Sequence, residues 1–241
     1  MGNKNEKIVS KPGIKFSEIK DQLKPFDIIV FRGTEFVSDT ISLFEKLFLG
    51  NGDWTHVGIV ITSDFVKFKN SVPNKLYIWE STMSGPLSDG VDNIETGKGD
   101  FGVQIRNLEK VIDKFDKNTN SKIGWCQLIN NPINKKENES DDDYNSRILI
   151  LKQKLQEFYF KHGNDLYDFR LSSLLKSLIS NFPQIGHNDH MFFCSELVTK
   201  IFEIIGIIDS DIDPETMAPV ELIEGSNPFV KIPPIIITRE W

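Results

Sequence analysis

The sequence has few cysteines, a deficit of basic residues and no long apolar run, and each scarcity excludes a class of protein. Its two cysteines, Cys126 and Cys194, lie far apart, so they do not form the disulfide framework of a small secreted domain and suit a reducing compartment. Acidic residues number 35 against 28 basic ones, which gives a net charge of −7. That balance argues against a nucleic-acid-binding protein, because such a protein needs a basic face to displace the counterions of phosphate groups.

Nothing in the sequence predicts a membrane protein. No apolar run reaches the length of a bilayer span, and the N-terminal residues lack the apolar core of a signal peptide. Gly2 invites N-myristoylation, but Glu6 stands where that signal has Ser or Thr. We therefore expect a cytoplasmic protein without a stable membrane anchor. A length of 241 residues suits one domain over 1–241, in which residues 1–15 form a flexible leader.

Apolar residues at alternating and at helical spacings predict an α+β fold. Strands are predicted over residues 25–33, 54–62, 76–81, 101–108 and 123–129, and the tail, 233–238, is predicted to add an edge strand. Helices are predicted over 39–49 and 144–162, with one or two helical turns between 16 and 23 and a short helix that ends near 179. Cys126 falls inside a predicted strand and is expected in the core.

The stretch 192–206 predicts a helix that is buried along one face and has a cysteine in its first turn. Its apolar residues recur every three or four positions: Leu197, Val198, Ile201, Phe202 and Ile205. Gly206 follows them, where helices commonly end. At Cys194 the unpaired N–H groups and the dipole of the helix stabilise an anion, so a thiol there can act as a thiolate nucleophile. The alternative is an inert core cysteine, since free cysteine is among the most buried residue types.

His56 and Glu80 are the candidates for a base and for the group that orients it. His56 lies at the mouth of one predicted strand and Glu80 at the end of the next. An antiparallel pairing that sets His56 opposite Glu80 also sets Val60 opposite Leu76, and all of these side chains then share one face. This pairing fits a general base whose tautomer is fixed by a carboxylate. The alternative is a hydrogen-bonded surface histidine and a solvated glutamate.

These motifs together resemble the NlpC superfamily of papain-like cysteine peptidases. The stretch Trp54-Thr55-His56-Val57-Gly58-Ile59-Val60 resembles its histidine strand, and Glu80 lies where the superfamily has the polar residue that orients the histidine. Cys194-Ser195-Glu196-Leu197 resembles its nucleophile helix. The order His, Glu, Cys is the reverse of the usual one. It resembles the circularly permuted YiiX/YebB branch, to which the lecithin retinol acyltransferase-like enzymes are distant relatives.

Two further segments are similar to that branch. Lys24-Pro25-Phe26-Asp27-Ile28-Ile29 is similar to its opening strand, with Phe26 where the branch usually has glycine. The segment from Gly163 through Tyr167-Asp168-Phe169 resembles the Tyr-Asp segment that precedes the cysteine helix. The resemblance runs from about residue 24 to 220 as short motifs.

The resemblance implies a papain-like fold, with an antiparallel sheet or barrel packed against helices and a cysteine at a helix N-terminus. It also implies a thiol hydrolase that cleaves amide or peptide bonds through an acyl-enzyme, without a metal or other cofactor. Cys194 is the implied nucleophile, His56 the base and Glu80 its orienting partner. The residues expected to contact substrate are Trp54, Thr55, Tyr167 and Ser195. Two alternatives stay open: a lipid-directed acyltransferase or esterase, and an inactive family member that binds a partner.

A zinc site is the competing interpretation of the same region. Four residues near the cysteine helix are of metal-ligating types: His187, Asp189, His190 and Cys194. They lack the paired Cys-x-x-Cys or His-x-x-x-His spacing of zinc motifs, which favours the thiol hydrolase. The segment 83–102 and the loop 183–190 are predicted to wall the cleft, and their small and apolar residues favour an acyl chain or a small neutral amide.

Overall fold

The structure is a computed structural model, and it describes residues 11–32, 54–82, 90–99, 102–115, 122–163, 165–167, 191–192, 194–214, 217, 219–223, 230 and 234–238. These residues form an α+β fold. The predicted helix over 39–49, the short helix ending near 179 and the loop 183–190 lie outside the described residues. So do Asp168 and residues 83–89, 100 and 101 of the segment 83–102 that was predicted to wall the cleft.

Seven of the described strands form one sheet, and two short ones form a separate pair. In chain order the strands are β1 (Lys11–Lys15), β2 (Ile28–Arg32), β3 (His56–Ile61), β4 (Tyr77–Thr82), β5 (Gly102–Asn107), β6 (Lys122–Cys126), β7 (Leu166–Tyr167), β8 (Met191–Phe192) and β9 (Ile235–Thr238). The sheet has the order β1-β9-β6-β2-β3-β4-β5, and β7 pairs with β8. Its neighbouring strands are antiparallel except β1 and β9, so the sheet is mixed.

Helices cover both faces of the sheet. The described helices are α1 (Phe16–Ile19), α2 (Leu108–Phe115), α3 (Asp141–His162) and α4 (Cys194–Ile204). Because side chains alternate along a strand, Val57 and Ile59 of β3 pack with α3 and α4, whereas Val60 packs with α1 and α2. None of these described helices combines the length and the apolarity that crossing a bilayer requires.

The strand predictions were confirmed for β2 to β6, but the edge of the sheet differs from its prediction. Residues 11–15 were assigned to a flexible leader, and they instead form β1, which pairs parallel with β9. Because β1 covers it, β9 is an inner strand rather than the predicted edge strand. The parallel pairing also makes the sheet mixed, where a wholly antiparallel one was expected. Helix α2 was not predicted.

A left-handed phenylalanine precedes β2. Phe26 has a φ of 74°, a conformation that bulky residues rarely adopt. The next residue, Asp27, is fully buried and its carboxylate accepts hydrogen bonds from the Lys24 backbone (3.0 Å), the Trp125 indole (3.0 Å) and the Leu128 backbone (3.1 Å). Phe26 therefore combines a backbone conformation typical of glycine with a ring that packs in the core.

Candidate active site

Helix α4 presents Cys194 as its first residue. The apolar stripe predicted for this helix is buried, and Gly206 follows its end with a φ of 74°. Cys194 itself is 6% exposed. The helix prediction is confirmed, and the thiol lies where the N–H groups of the first turn have no helical partners. A negative charge on sulfur is stabilised at this position.

His56 lies against Cys194 and makes a side-chain hydrogen bond with it. It is the first residue of β3, and its ring lies 5.3 Å from that of Phe31 on the neighbouring strand. Both His56 and Cys194 begin their elements, so the contact forms at the end of the sheet. The imidazole is 4% exposed, which keeps the pair largely out of bulk water.

Glu80 contacts the other side of the imidazole. Its Oε2 lies 2.6 Å from Nε2 of His56, and the carboxylate is fully buried. An ionised carboxylate can only accept, so Nε2–H is the donor, and we infer that the ring meets Cys194 through Nδ1. The structure thus brings the three predicted residues together in one chain of contacts.

The register between β3 and β4 differs from the predicted one. Val60 lies opposite Ile78 rather than Leu76, a shift of two residues. An even shift leaves every side chain on its predicted face, because strand side chains alternate with a period of two. His56 and Glu80 therefore still share a face, but they meet along a diagonal rather than directly opposite each other.

Gly58 makes room for this diagonal contact. It lies between His56 and Val60 on the same face of β3. A Cβ atom added there would stand 2.8 Å from Cγ1 and Cδ1 of Ile78 and 3.0 Å from Cβ of Glu80. The distances to Ile78 are shorter than real contacts allow and the distance to Glu80 is tighter than most, so the absence of a side chain at Gly58 lets Ile78 and Glu80 lie close to β3.

Gly58→Ala is expected to displace Glu80 from His56 and to lower both stability and activity. Overpacking of this kind destabilises a fold by ~1–3 kcal/mol. The matched control is Gly13→Ala on β1, where an added Cβ would stand 2.5 Å from Cγ2 of Thr238, away from the site. Both variants should lose thermal stability, but only Gly58→Ala should lose turnover per folded molecule. An equal loss of turnover in both variants would contradict a specific role for Gly58.

Arg106 is the fourth member of this group, and it was not predicted. Its Nε donates to Oε1 of Glu80 at 2.6 Å, and the side chain is 1% exposed. On β5 it alternates with apolar residues, a pattern typical of a strand with one solvent face. The register between β4 and β5 places Arg106 on the same face as Glu80. Glu80 pairs with Gln104 and Ile78 with Arg106, so all four side chains share one face.

The charges of these groups oppose the effect of burial. Burial by itself raises the pKa of Glu80, but the charge of Arg106 and the hydrogen bond from His56 lower it to about 2. Burial by itself lowers the pKa of His56, but the negative charge and hydrogen bond of Cys194, followed by those of Glu80, raise it to about 9. At neutral pH the site therefore holds an ionised carboxylate and a protonated imidazole.

Two of the four residues predicted to contact substrate, Thr55 and Ser195, adjoin His56 and Cys194 in the sequence, and the role of all four stays a prediction. Trp54 is 6% exposed and packs over Gly124 in the core. The hydroxyl of Thr55 donates to the carbonyl of Phe31 at 3.3 Å, and Ser195 is buried, with its carbonyl accepting from Thr199 at 2.8 Å.

Tyr167, the fourth of them, lies on the short strand β7. It pairs with Phe192 of β8, two residues before Cys194 in the sequence. The backbone of Leu166 and Tyr167 therefore lies beside that of Met191 and Phe192.

The second cysteine, Cys126, is fully buried in the core, as predicted, where burial and the charge of Asp27 raise its pKa.

The predicted zinc cluster is only partly described by the structure. The described residues contain no group of three or more side chains that could hold a metal ion. Three members of the zinc cluster, His187, Asp189 and His190, lie outside the described residues.

Comparison with known proteins gives no further assignment. No protein-family model matches the sequence, and no curated protein matches it. Functional inference therefore depends on the residues around Cys194 and on their chemistry.

Proposed function

We propose that this protein is a cysteine hydrolase of the circularly permuted, papain-like NlpC type. The observation that carries the proposal is the unbroken chain of contacts from Cys194 through His56 to Glu80, at the first turn of a helix. The order of these residues along the sequence is that of the branch the sequence resembles. A nucleophile, a base and a group that orients the base, each within reach of the next, are the parts that acyl transfer by a thiol requires.

The first half of the reaction forms an acyl-enzyme. The sulfur of Cys194, its proton held by His56, forms a bond to the carbonyl carbon of the substrate. Backbone N–H groups at the start of α4 stabilise the oxygen as it becomes negative. The tetrahedral species then collapses, the bond to the leaving amine breaks, and His56 gives its proton to that amine.

The second half releases the acid. His56, now neutral, takes a proton from water as the water oxygen attacks the thioester carbon. The carbon–sulfur bond breaks, the carboxylic acid leaves, and the Cys194–His56 pair is restored. Glu80 keeps the imidazole in one orientation through both halves, since Nε2–H stays bonded to Oε2.

Amide and peptide bonds are the substrate class that we propose. The protonated imidazole, whose pKa is about 9, can supply a proton to an amine leaving group at neutral pH. An amine needs that proton to leave, whereas an activated ester does not.

Differential alkylation of the two cysteines tests the chemistry directly. With iodoacetamide at pH 6, Cys194 should react at least ~100-fold faster than Cys126, because even an ordinary thiol with a pKa of about 8.5 is then under ~1% ionised, and Cys126 is buried with a raised pKa. Mass spectrometry of tryptic peptides measures both rates in one sample. Equal and slow labelling would contradict the proposal and would favour an inactive protein that binds a partner.

A substrate panel then tests the substrate class. Short peptide amides and p-nitrophenyl acyl esters of increasing chain length should be compared under one set of conditions. Turnover of the peptide amides is expected. Activity that rises with acyl length and is absent on amides would replace the proposal by a lipid-directed esterase or acyltransferase.

A further inference from the structure

Each oxygen of the Glu80 carboxylate has a different cationic partner. Oε1 accepts from Nε of Arg106 at 2.6 Å, and Oε2 lies 2.6 Å from Nε2 of His56. All three side chains are buried, with Glu80 and Arg106 at 0% and 1% exposure. The carboxylate is therefore held between two groups on neighbouring strands, and its plane is fixed from both sides.

Arg106 and His56 differ in how they behave during catalysis. A guanidinium does not lose its proton in a protein, so Arg106 stays charged, whereas His56 must cycle between its protonated and neutral forms. Among the described residues, the charges of Arg106 and His56 lower the pKa of Glu80. The helices on this face, α1 and α2, contribute apolar side chains, among them Phe16, Ile19, Leu108 and Phe115.

We propose that Arg106 is a positioning residue of this site, which keeps Glu80 ionised and in one orientation while His56 gains and loses its proton. The inference rests on the proposed function and assigns a role that the three catalytic side chains do not fill. When His56 becomes neutral, Arg106 stays beside Glu80 as a cation of the described part of the chain. It prevents Glu80 from taking the Nε2 proton of His56, whose loss would remove the positive charge that lets the ring protonate the leaving group from Nδ1.

The charges of the four residues also balance in each half of the reaction. Once the Cys194 proton has passed to His56, the thiolate and the imidazolium offset each other, and so do Glu80 and Arg106. After His56 has passed its proton to the leaving amine, the acyl-enzyme contains a neutral thioester, a neutral imidazole and the same Glu80–Arg106 pair. Without Arg106 the second state would hold a lone buried carboxylate, which would protonate and could then turn away from His56.

A merely structural role for Arg106 predicts a different result. An ion pair that only fastens β4 to β5 would add to a ladder of six residue pairs that already joins these strands, from Tyr77–Asn107 to Thr82–Gly102. Its loss would lower the melting temperature without adding a titration to the reactivity of Cys194. The pH dependence of that reactivity therefore separates the two roles.

The experiment measures the rate of Cys194 alkylation by iodoacetamide from pH 4 to pH 9 in the full chain, with Cys126 as internal reference. In the wild type Glu80 titrates near 2, below this range. Arg106→Met removes the charge and leaves Glu80 to titrate within the range, so its profile should gain an acidic inflection and react at least ~10-fold more slowly below it. Combined with Glu80→Gln, Arg106→Met should add no inflection. The inference would be overturned by identical profiles for the wild type and Arg106→Met. It would also be overturned by an inflection that persists in the double variant of Arg106→Met with Glu80→Gln.

Arg106→Lys covers the case in which the methionine variant does not fold, as judged by circular dichroism. Lysine keeps the charge but lacks the planar donor that fixes the carboxylate. We expect a profile without the added inflection and a several-fold lower kcat at an unchanged KM, and a wild-type kcat would overturn the orienting role. The proposed function fails on a different result, namely a wild-type Cys194 that reacts no faster than Cys126.

Discussion

Cys194→Ala is expected to reduce hydrolysis to the background rate and to leave the fold intact. Loss of the nucleophile removes the acyl-enzyme route altogether, and removal of one catalytic nucleophile lowers kcat on the order of 10⁶-fold in a well-studied hydrolase. The sulfur is a single atom at the first turn of α4, so its loss should destabilise the protein by only ~1 kcal/mol. Initial rates on the peptide panel, with the melting temperature measured in parallel, check both parts.

Cys126→Ala is the matched control for this variant. Cys126 is more deeply buried than Cys194, at 0% against 6% exposure, and it lies outside the site. We expect Cys126→Ala to lose at least as much stability as Cys194→Ala and to retain turnover. Activity that survives Cys194→Ala, or that disappears in Cys126→Ala while the protein remains folded, would contradict the assignment of the nucleophile.

Glu80→Gln is expected to cause the largest loss of stability among the site variants. Glu80 is the carboxylate partner of Arg106, and removing one member of a buried ion pair leaves an uncompensated charge, which destabilises a fold by ~3–5 kcal/mol. For a chain of this size that lowers the melting temperature by ~6–20 °C. Turnover should also fall, but less than the ~10²–10⁴-fold expected for His56→Ala, because Glu80 supports the base and is not itself the base.

The pH dependence of stability gives this variant a second readout. The folded-state pKa of Glu80 lies near 2, below its ordinary value of 4.5, so its contribution is complete above about 4.5 and is lost as the pH falls through 2. The stability difference between wild type and Glu80→Gln should therefore shrink across that window.

The control for Glu80→Gln is Asp141→Asn on the surface. Lys135 and Asp141 form an ion pair at the same distance, 2.6 Å, but the Asp141 side chain is 89% exposed. We expect little change in melting temperature there, since water screens and solvates an exposed pair. Equal losses in the two variants would show that burial of Glu80 and Arg106 does not control the effect.

The parts of the site that follow from local pattern could be predicted, and the parts set by pairing could not. The helix after Cys194 and the strand after His56 are specified by their own apolar spacing. The face shared by His56 and Glu80 also follows, because β3 and β4 alternate with a fixed period. The register does not, since it depends on the loop between the strands, where Phe65 N donates to Thr62 O and Val72 N to the hydroxyl of Tyr77.

Arg106 and β1 were missed because each acquires its role from a distant segment. In the sequence Arg106 is simply a charged residue in an alternating strand. It shares a face with Glu80 because of the register in which β5 pairs with β4. The short polar sequence of β1 has no strand pattern of its own and is held by β9, from the other end of the sequence. Helix α2 is a different case. Leu108, Val111, Ile112 and Phe115 have helical spacing, and the sequence alone was sufficient to predict it.

The pairing of β1 with β9 would allow a circular permutation that changes the order of the functional residues along the chain. A linker from Thr238 back to Lys11, with a new start opened ahead of Cys194, would give a polypeptide that begins with the nucleophile helix and runs Cys, His, Glu. Because β1 and β9 are parallel, that linker must return along one strand, a span of ~17 Å at ~3.3 Å per residue. The pairs that position His56 and Glu80 join β2 to β3, β3 to β4 and β4 to β5, away from either strand. Such a rearranged chain would carry its ends in another place and should keep the same chemistry.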